Sequence, residues 1–223
     1  MNTAMILAAG RGERLKPLTQ FMPKAMCLIN DVPLIEHHIR NLARCGFKRV
    51  IVNHAYLGGQ IRRHLRDGQP WNIEIIYSPE PPGGLETGGG IVKALPLLGN
   101  DPFLVVNADI YTDFDFTTLS CPSNFLANVV LVPNPKHNLK GDFNLNGSQL
   151  TNERRYTLAG ITCYHPNAFT ECAIGRYSVT PLLRLLADQQ KVSGLLYHGK
   201  WADIGSIERL KELQVEHRTR LAD

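Results

Sequence analysis

The stretch from Met5 to Lys24, MILAAGRGERLKPLTQFMPK, constrains the fold of this 223-residue chain more than any other. Met5, Ile6 and Leu7 form a short apolar run, and Ala8 and Ala9 then reduce the side chains to almost nothing. Gly10 and Gly12 follow, with Arg11, Arg14, Lys16 and Lys24 spread over the next turns. A buried strand ending in small residues and glycines lets a ligand approach the backbone closely. Main-chain N–H groups exposed in such a turn form an anion-binding concavity, and nearby cations add charge complementarity. The stretch therefore reads as a phosphate cradle; the bland alternative is a basic turn after a first strand. Two familiar cradles do not fit. A dinucleotide fingerprint has Leu15 where its third glycine belongs, with Pro17 close behind. The pattern G-x-x-x-x-G-K-[ST] fails because one residue separates Gly10 from Gly12.

Hydrophobic patterning places this turn in an α/β framework. RVIVN (49–53), IEIIY (73–77) and FLVVN (103–107) read as buried strands. Between them, Leu34, Ile35, Ile39, Leu42 and Ala43 recur with helical period and stop at Gly46, and Ile61 and Leu65 mark a second helix. CLINDVPLI turns at Asn30-Asp31. Strands without inward–outward alternation, separated by helices, predict a mostly parallel sheet covered on both faces. After about residue 110 the pattern changes. ANVVLV (127–132), GDFNL (141–145) and YTLAGITCY (156–164) are strand-like, with turn signals at Asn134-Pro135 and Asn146-Gly147. This predicts an antiparallel or mixed extension of the sheet. A helix over Thr180–Ala187 follows, then a strand near Leu195–His198. Ser206 is the expected N-cap of a last helix carrying Ile207, Leu210 and Leu213.

Composition removes several classes of function. Hydrophobic content of 43% and charged content of 20% are ordinary for a soluble globular protein, and the length suits one substantial α/β domain. A formal charge of +4 without a Lys/Arg block gives no sign of nucleic acid. The five cysteines are scattered without zinc spacing, which predicts free thiols in a reducing cytosol. No stretch approaches a signal sequence or a membrane span, so the expected location is cytoplasmic. The histidines show no ligand spacing, and His37, His38 and His64 read as helix-surface residues.

Two acids stand out. Asp109, in VVNADIY, follows a buried strand, and Asp203, in GKWADIGS, precedes the last helix. In open α/β sheets ligands bind beyond the carboxyl ends of the strands. Carboxylates converging there suit magnesium, which takes one or two of them plus substrate phosphates; the alternative for either is a loop acid or helix cap. GGLETGGGIVKAL (83–95) opens a helix with three successive glycines, permitting close backbone approach or a lid hinge. Pro81-Pro82-Gly83-Gly84 reads as a flexible loop, and Asp113 and Asp115 form a D-x-D string read as a loop feature.

The string L-A-A-G-x-G-x-R-x-x-P-L-T followed by P-K is formed by Leu7, Ala8, Ala9, Gly10, Gly12, Arg14, Pro17, Leu18, Thr19, Pro23 and Lys24. It resembles the sugar-1-phosphate nucleotidyltransferases. PKAMCLIND, VNHAYLGGQI, GGLETGGGIVKALPLLG, GDFNL and WADIG extend the resemblance to the branch that makes UDP-N-acetylmuramate in cell-wall sugar recycling. Met26-Cys27 and Ala159 depart from the pattern, the latter removing a hydroxyl on the sugar side.

The resemblance implies a single Rossmann-like, GT-A-like α/β domain over 1–223. Its mostly parallel mixed sheet is flanked by helices, with a smaller antiparallel extension for the sugar. The nucleotide part spans about 1–110, the sugar part about 111–200, and the C-terminal helix 206–220. It implies catalytic roles for Arg14 and Lys24, and nucleotide contacts from Ala8, Ala9, Gly10, Arg11, Gly12 and Lys24. Glu86, Gly88 and Gly89 would read the base, with Asn107 near the ribose. Asp142, Glu153 and Gly160 would face the sugar phosphate, and Asp109 and Asp203 would hold Mg2+. The expected partners are UTP and a sugar 1-phosphate, with neither nucleic acid nor membrane, and the expected state is a monomer. The implied reaction moves UMP from UTP to N-acetylmuramate 1-phosphate and releases pyrophosphate. Other sugar 1-phosphates (mannose, glucose, heptose), phosphocholine, a D-x-D glycosyltransferase and a non-catalytic nucleotide sensor remain as alternatives.

Overall fold

Apolar runs such as FLVVN have no polar edge to show to water, so both faces of the sheet they form must be covered. The computed structural model describes residues 1–219. In chain order its strands are β1 (Thr3–Leu7), β2 (Leu28–Ile29), β3 (Val32–Pro33), β4 (Arg49–His54), β5 (Glu74–Pro79) and β6 (Phe103–Asn107). They continue with β7 (Ile110–Thr112), β8 (Ala127–Val132), β9 (Phe143–Asn146), β10 (Gln149–Tyr164), β11 (Val192–Leu196) and β12 (Trp201–Asp203). The α-helices are α1 (Leu34–Arg44), α2 (Gly58–Leu65), α3 (Glu86–Leu98), α4 (Thr180–Asp188) and α5 (Ile207–Thr219).

An eight-stranded sheet runs in the order β11-β8-β10-β6-β1-β4-β5, with β9 attached to β10. Strands β6, β1, β4 and β5 are mutually parallel, whereas β10 runs antiparallel to β6, β8 and β9. This is the mixed sheet expected from the change of pattern near residue 110. Both faces are covered as the apolar runs require. Ile35, Ile39 and Leu42 of α1 and Ile61 and Leu65 of α2 pack against Ile6, Val52 and Val106 on one face. Ile91, Ala94 and Leu98 of α3 and Leu183 of α4 pack against Met5, Ile51 and Val105 on the other. A third cluster joins Leu15 of the glycine-rich turn to Cys27, Ile29 and Leu34, and to Leu210 and Leu213 of α5, so the last helix braces the cradle. No helix among the described residues is long and apolar enough to cross a membrane.

Local chemistry explains most boundaries. Asn30 and Asp31 both take positive φ, 50° and 59°, as a two-residue hairpin turn between β2 and β3 demands. Gly46, at φ +84°, follows the end of α1, and the Phe47 N–H donates to the Leu42 carbonyl. Some boundaries differ from those expected. The strand placed near 195–198 is Val192–Leu196, because its register is set by pairing with β8. GDFNL contributes strand only from Phe143, because the Asp142 side chain is tied into the preceding loop. The last helix begins at Ile207, and the expected end at 220 lies outside the described residues.

His38 is a further correction, and one with a thermodynamic consequence, since it is buried rather than on the helix surface. It lies four residues from both Leu34 and Leu42, on the stripe of α1 that faces the sheet. Burial is the main reason its pKa falls to about 4; His37 lowers it further, while Asp109 and a hydrogen bond to the Ile110 backbone oppose the shift. His64 is half-buried and contacts the buried Glu36 at 2.6 Å, so it too is more than a solvated surface group. Between the ordinary histidine value and about 4, the unfolded chain binds a proton at His38 that the native state refuses. Its contribution is therefore complete above the unfolded pKa and is lost as pH falls. Urea unfolding should register a loss of about 2 kcal/mol from this residue between roughly pH 7.5 and pH 5. His38→Leu should flatten that limb, and an unchanged pH slope would remove His38 as its source.

Candidate active site

β4 and β5 lie on one side of β1, and β6 lies on the other. A parallel sheet that switches direction in this way opens a crevice beyond the carboxyl ends of the two central strands. A cavity of about 420 Å3 occupies that position, a size typical of ligand sites. The turn after β1 and the Asn107–Asp109 turn after β6 form two of its walls.

Packing fixes the glycine-rich turn. Gly12 sits in left-handed conformation at φ +65°, and a side chain there would stand 2.9 Å from Thr19 Cγ2 and 3.1 Å from Lys24 Cβ. Thr19 is buried, and its hydroxyl donates to the Gly12 carbonyl at 2.8 Å. Leu15 is anchored in the α5 cluster. The root of the turn is held from another direction, because the Ala8 N–H donates to Asn53 Oδ1 at 2.7 Å. The Asn53 amide in turn donates to Glu80 Oε1 at 2.6 Å, and Glu80 Oε2 accepts the Leu85 N–H at 2.6 Å. Asn53 and Glu80 are both buried, so this chain of bonds is shielded from water. It fixes the 81–85 loop opposite the cradle, and a side chain on Gly84 would come within 3.5 Å of the Ala9 carbonyl.

The three successive glycines have three separate packing reasons. A Cβ on Gly88 would lie 2.6 Å from the Tyr177 ring, and one on Gly90 would lie 2.6 Å from Glu80 Oε1. One on Gly89 would overlap the Gly175 carbonyl. The N–H groups of Gly88 and Gly89 both point at the Tyr177 carbonyl, at 2.9 and 3.2 Å. This corrects the expectation that their backbone reads the base. The stretch 175–177 caps the start of α3, and Gly83, Gly84, Glu86 and Thr87 line the cavity instead.

Charge is distributed around the same cavity. Lys24 Nζ pairs with Asp109 Oδ2 at 2.5 Å, with 12% of the lysine side chain and 38% of the aspartate side chain exposed. Arg14 lines the cavity and makes no ion pair among the described residues. Arg11 lies over the Tyr56 ring at 5.3 Å, and Arg176 contacts Glu86 at 3.3 Å. Asp203 sits opposite Ile110 in the β12–β7 pair, and the Ile204 N–H donates to the Asp109 carbonyl at 2.8 Å. The two candidate metal ligands are thus neighbours in the fold, although Asp203 does not itself line the cavity. Its carboxylate is bound by Arg209 Nη1 at 2.5 and 2.6 Å and by His137 Nε2 at 3.0 Å.

The tertiary structure brings Ala8, Ala9, Gly10, Arg11, Gly12, Arg14, Lys24, Glu86, Asn107 and Asp109 to one cavity. Gly160 lines an adjoining hollow of about 120 Å3, which shares Leu7, Thr87 and Asn107 with the first. At φ +72°, a side chain on Gly160 would stand 2.7 Å from Asn107 Nδ2. Two expected sugar contacts line neither hollow. Asp142 Oδ2 accepts from the Leu158 N–H and Asn138 Nδ2, which makes it a pin of the 134–142 loop. Glu153 is exposed on the β9–β10 hairpin, where it accepts from Asn144. The D-x-D acids are also engaged locally, Asp113 by Tyr197 and the Lys200 N–H and Asp115 as a cap accepting from Thr117. Sequence reasoning missed Asn53 and Arg176. An amide ending the apolar strand RVIVN is a usable sign of the first; Arg176 meets Glu86 across 90 residues, which no local pattern encodes.

The nucleotidyl transferase family model matches residues 3–127. The chain is 45% identical over 222 residues to an N-acetylmuramate alpha-1-phosphate uridylyltransferase of Neisseria meningitidis, covering 95% of this chain and 96% of that one. It is 29% identical to the Caulobacter vibrioides protein of the same description, over 91% of each chain. In fold it resembles a UDP-glucose pyrophosphorylase complexed with UDP-glucose, with a TM-score of 0.81, 19% identity and 99% coverage of both chains.

The buried bond chain gives a direct test. Glu80→Ala removes the acceptor of the Leu85 N–H and should destabilise the protein by about 1–3 kcal/mol. Amide exchange at Leu85 should accelerate more than at Ala8, while Asn53→Ala should reverse that order. Protection of the Ala8 amide left unchanged by Glu80→Ala would dissolve the link between the two loops.

Proposed function

The chain belongs to the nucleotidyl transferase family, and within it we propose that it transfers UMP from UTP to N-acetylmuramate 1-phosphate, giving UDP-N-acetylmuramate and pyrophosphate. The observation that carries this reading is the cavity at the ends of β1 and β6, with the Lys24–Asp109 pair on its wall. The 45% identical relative, matched almost end to end, supports the choice of base and sugar.

The chemistry asks little of the protein in covalent terms. An oxygen of the sugar phosphate is already a nucleophile; it attacks the α-phosphorus of UTP, and the bond to the pyrophosphate oxygen breaks. The barrier is repulsion between anions, so catalysis consists of positioning and electrostatic stabilisation. In this reading the 8–12 turn holds the triphosphate along its backbone, and Arg14 neutralises the departing pyrophosphate. Lys24 meets the charge that builds on the α-phosphoryl oxygens. Its mostly buried stem restricts the ammonium to a small volume, which lowers reorganisation at the moment of reaction. Glu86 and the 83–87 backbone face the base, Asn107 the ribose, and Gly160 the sugar. The nucleotide half is then about 1–110 and the sugar half about 111–200.

Asp109 and Asp203 fit a magnesium ion. They are hard oxygen donors on hydrogen-bonded neighbouring segments, and two carboxylates leave coordination positions for phosphates and water. Held there, such an ion would supply Lewis-acid polarisation of the phosphoryl group.

Pyrophosphate release should be measured with UTP, dTTP, GTP, CTP and ATP, each against N-acetylmuramate, N-acetylglucosamine and glucose 1-phosphates. Turnover confined to UTP with the muramate sugar is the expected result. Turnover with a different pair would keep the chemistry and discard the substrate. Lys24→Ala should lower kcat by about 100- to 1,000-fold with little change in UTP binding. Asp109→Asn should abolish the magnesium-dependent rate, and normal rates in these variants would remove both residues from their roles.

A further inference from the structure

N-acetylmuramate differs from N-acetylglucosamine by a lactyl ether that ends in a carboxylate. An enzyme that selects the acidic sugar needs N–H donors fixed where that group arrives, because carboxylate recognition is strongest with charged, pre-oriented donors. Arg11, Arg14, Lys24 and Arg176 line the larger cavity, whereas His137 and Arg209 lie outside it, beside Asp203 on the segment bonded to Asp109.

One cluster there is built unusually firmly. His137 and Arg209 converge on Asp203, with the Arg209 Nη1 atom 2.8 Å from His137 Nε2 and 3.1 Å from Nδ1. Asp203 lies one strand away from Asp109, on the edge where β12 meets β7. His137 is exposed, yet the loop that carries it is pinned on both sides. Asn134 donates to the Leu139 and Arg155 carbonyls at 3.0 and 2.9 Å and accepts from Thr157 at 2.9 Å. Asn138 donates to Thr157 and to Asp142, which itself accepts the Leu158 N–H. A surface loop held this tightly presents its remaining side chain in one place. On the other side, a Cβ on Gly205 would overlap the Arg209 guanidinium, so the glycine is what permits the arginine to lie there. Lys136 and Lys140 add positive charge to the same loop.

The cluster already holds one carboxylate, that of Asp203, in charge-assisted contact, so its geometry suits the group. It also holds donors in excess of that one acceptor. The contacts of Arg209 run through Nη1, while Nε and Nη2 make no hydrogen bond among the described residues.

We propose that His137 and Arg209 form a carboxylate subsite through which this enzyme selects sugar 1-phosphates bearing an acid. The proposal rests on the muramate reading above and goes beyond it by naming the residues that discriminate. The test compares kcat/KM, by pyrophosphate release with UTP, for N-acetylmuramate 1-phosphate and for its lactyl amide, in which the carboxylate is replaced by a neutral group. The native enzyme should prefer the acid by about 10- to 100-fold. His137→Ala and Arg209→Ala should bring that ratio toward one, and Arg209→Lys should keep part of it. Damage to the fold or to Asp203 lowers both substrates together and leaves the ratio intact; that outcome overturns the subsite. A native enzyme indifferent to acid and amide overturns it as well. Turnover of neither, with activity on another sugar 1-phosphate, overturns the muramate reading and the subsite with it. The exposed His137 variant keeps the test decisive if Arg209→Ala does not fold.

Discussion

A buried amide at the end of one strand organises the whole site. Asn53 occupies the last position but one of β4, next to the switch point, with both ends of its side chain engaged. Its oxygen holds the Ala8 N–H where β1 becomes the cradle, and its nitrogen holds Glu80, which holds Leu85. Two glycine-rich loops from distant parts of the chain thereby acquire a fixed separation. Each bond is worth only about 1 kcal/mol net, but a buried partner left unsatisfied costs more, so losing one member weakens the next. That property suits a site whose catalysis depends on geometry rather than on a protein nucleophile.

Glycine serves this architecture in two distinct ways. Gly12 is required for its positive φ and for the space taken by Thr19 and Lys24. Gly88, Gly89 and Gly90 are required because Tyr177, Gly175 and Glu80 press on the start of α3. In the second case the small residues exist for protein packing, and the N–H groups of Gly88 and Gly89 are consumed by the Tyr177 carbonyl. The loop just before the helix, with its own pair of glycines, lines the cavity instead.

Electrostatics divides the crevice. Arg11, Arg14, Lys24 and Arg176 line the cavity, a charge distribution that suits a polyanion such as a triphosphate. The Asp109–Asp203 edge places carboxylates at the junction, each already paired with a cation, Lys24 on one side and Arg209 on the other. Exchangeable ion pairs of this kind keep carboxylates oriented while leaving them able to take other partners. The third hydrophobic cluster couples this edge to the cradle, since Leu15 and the residues flanking Asp203 pack into the same group.

Features set by near neighbours in the chain are legible from the residues alone. FLVVN and ANVVLV form strands at the residues expected, and the Asn30-Asp31 turn and Gly46 stop fall where their chemistry requires, because strand periodicity and left-handed φ are local properties. The glycine-rich turn that begins at Ala8 is legible for the same reason. Failures cluster where a distant neighbour decides the outcome. Glycine spacing indicates close approach without saying what approaches, so Gly88 and Gly89 point to a base when Tyr177 is the cause. His38 reads as solvated on its helix, and the sheet covers it. Asp142 and Glu153 have the right chemistry, but loop bonds and an exposed hairpin keep them from the cavity. The sequence by itself determined the strands, the helices and the glycine-rich turn after the first strand, since these depend on each residue's own conformational preferences. Only the tertiary structure decided that Asn53 would join two loops, that Arg176 would meet Glu86, and that His137 and Arg209 would share Asp203, because contacts across the chain depend on how the covered sheet packs.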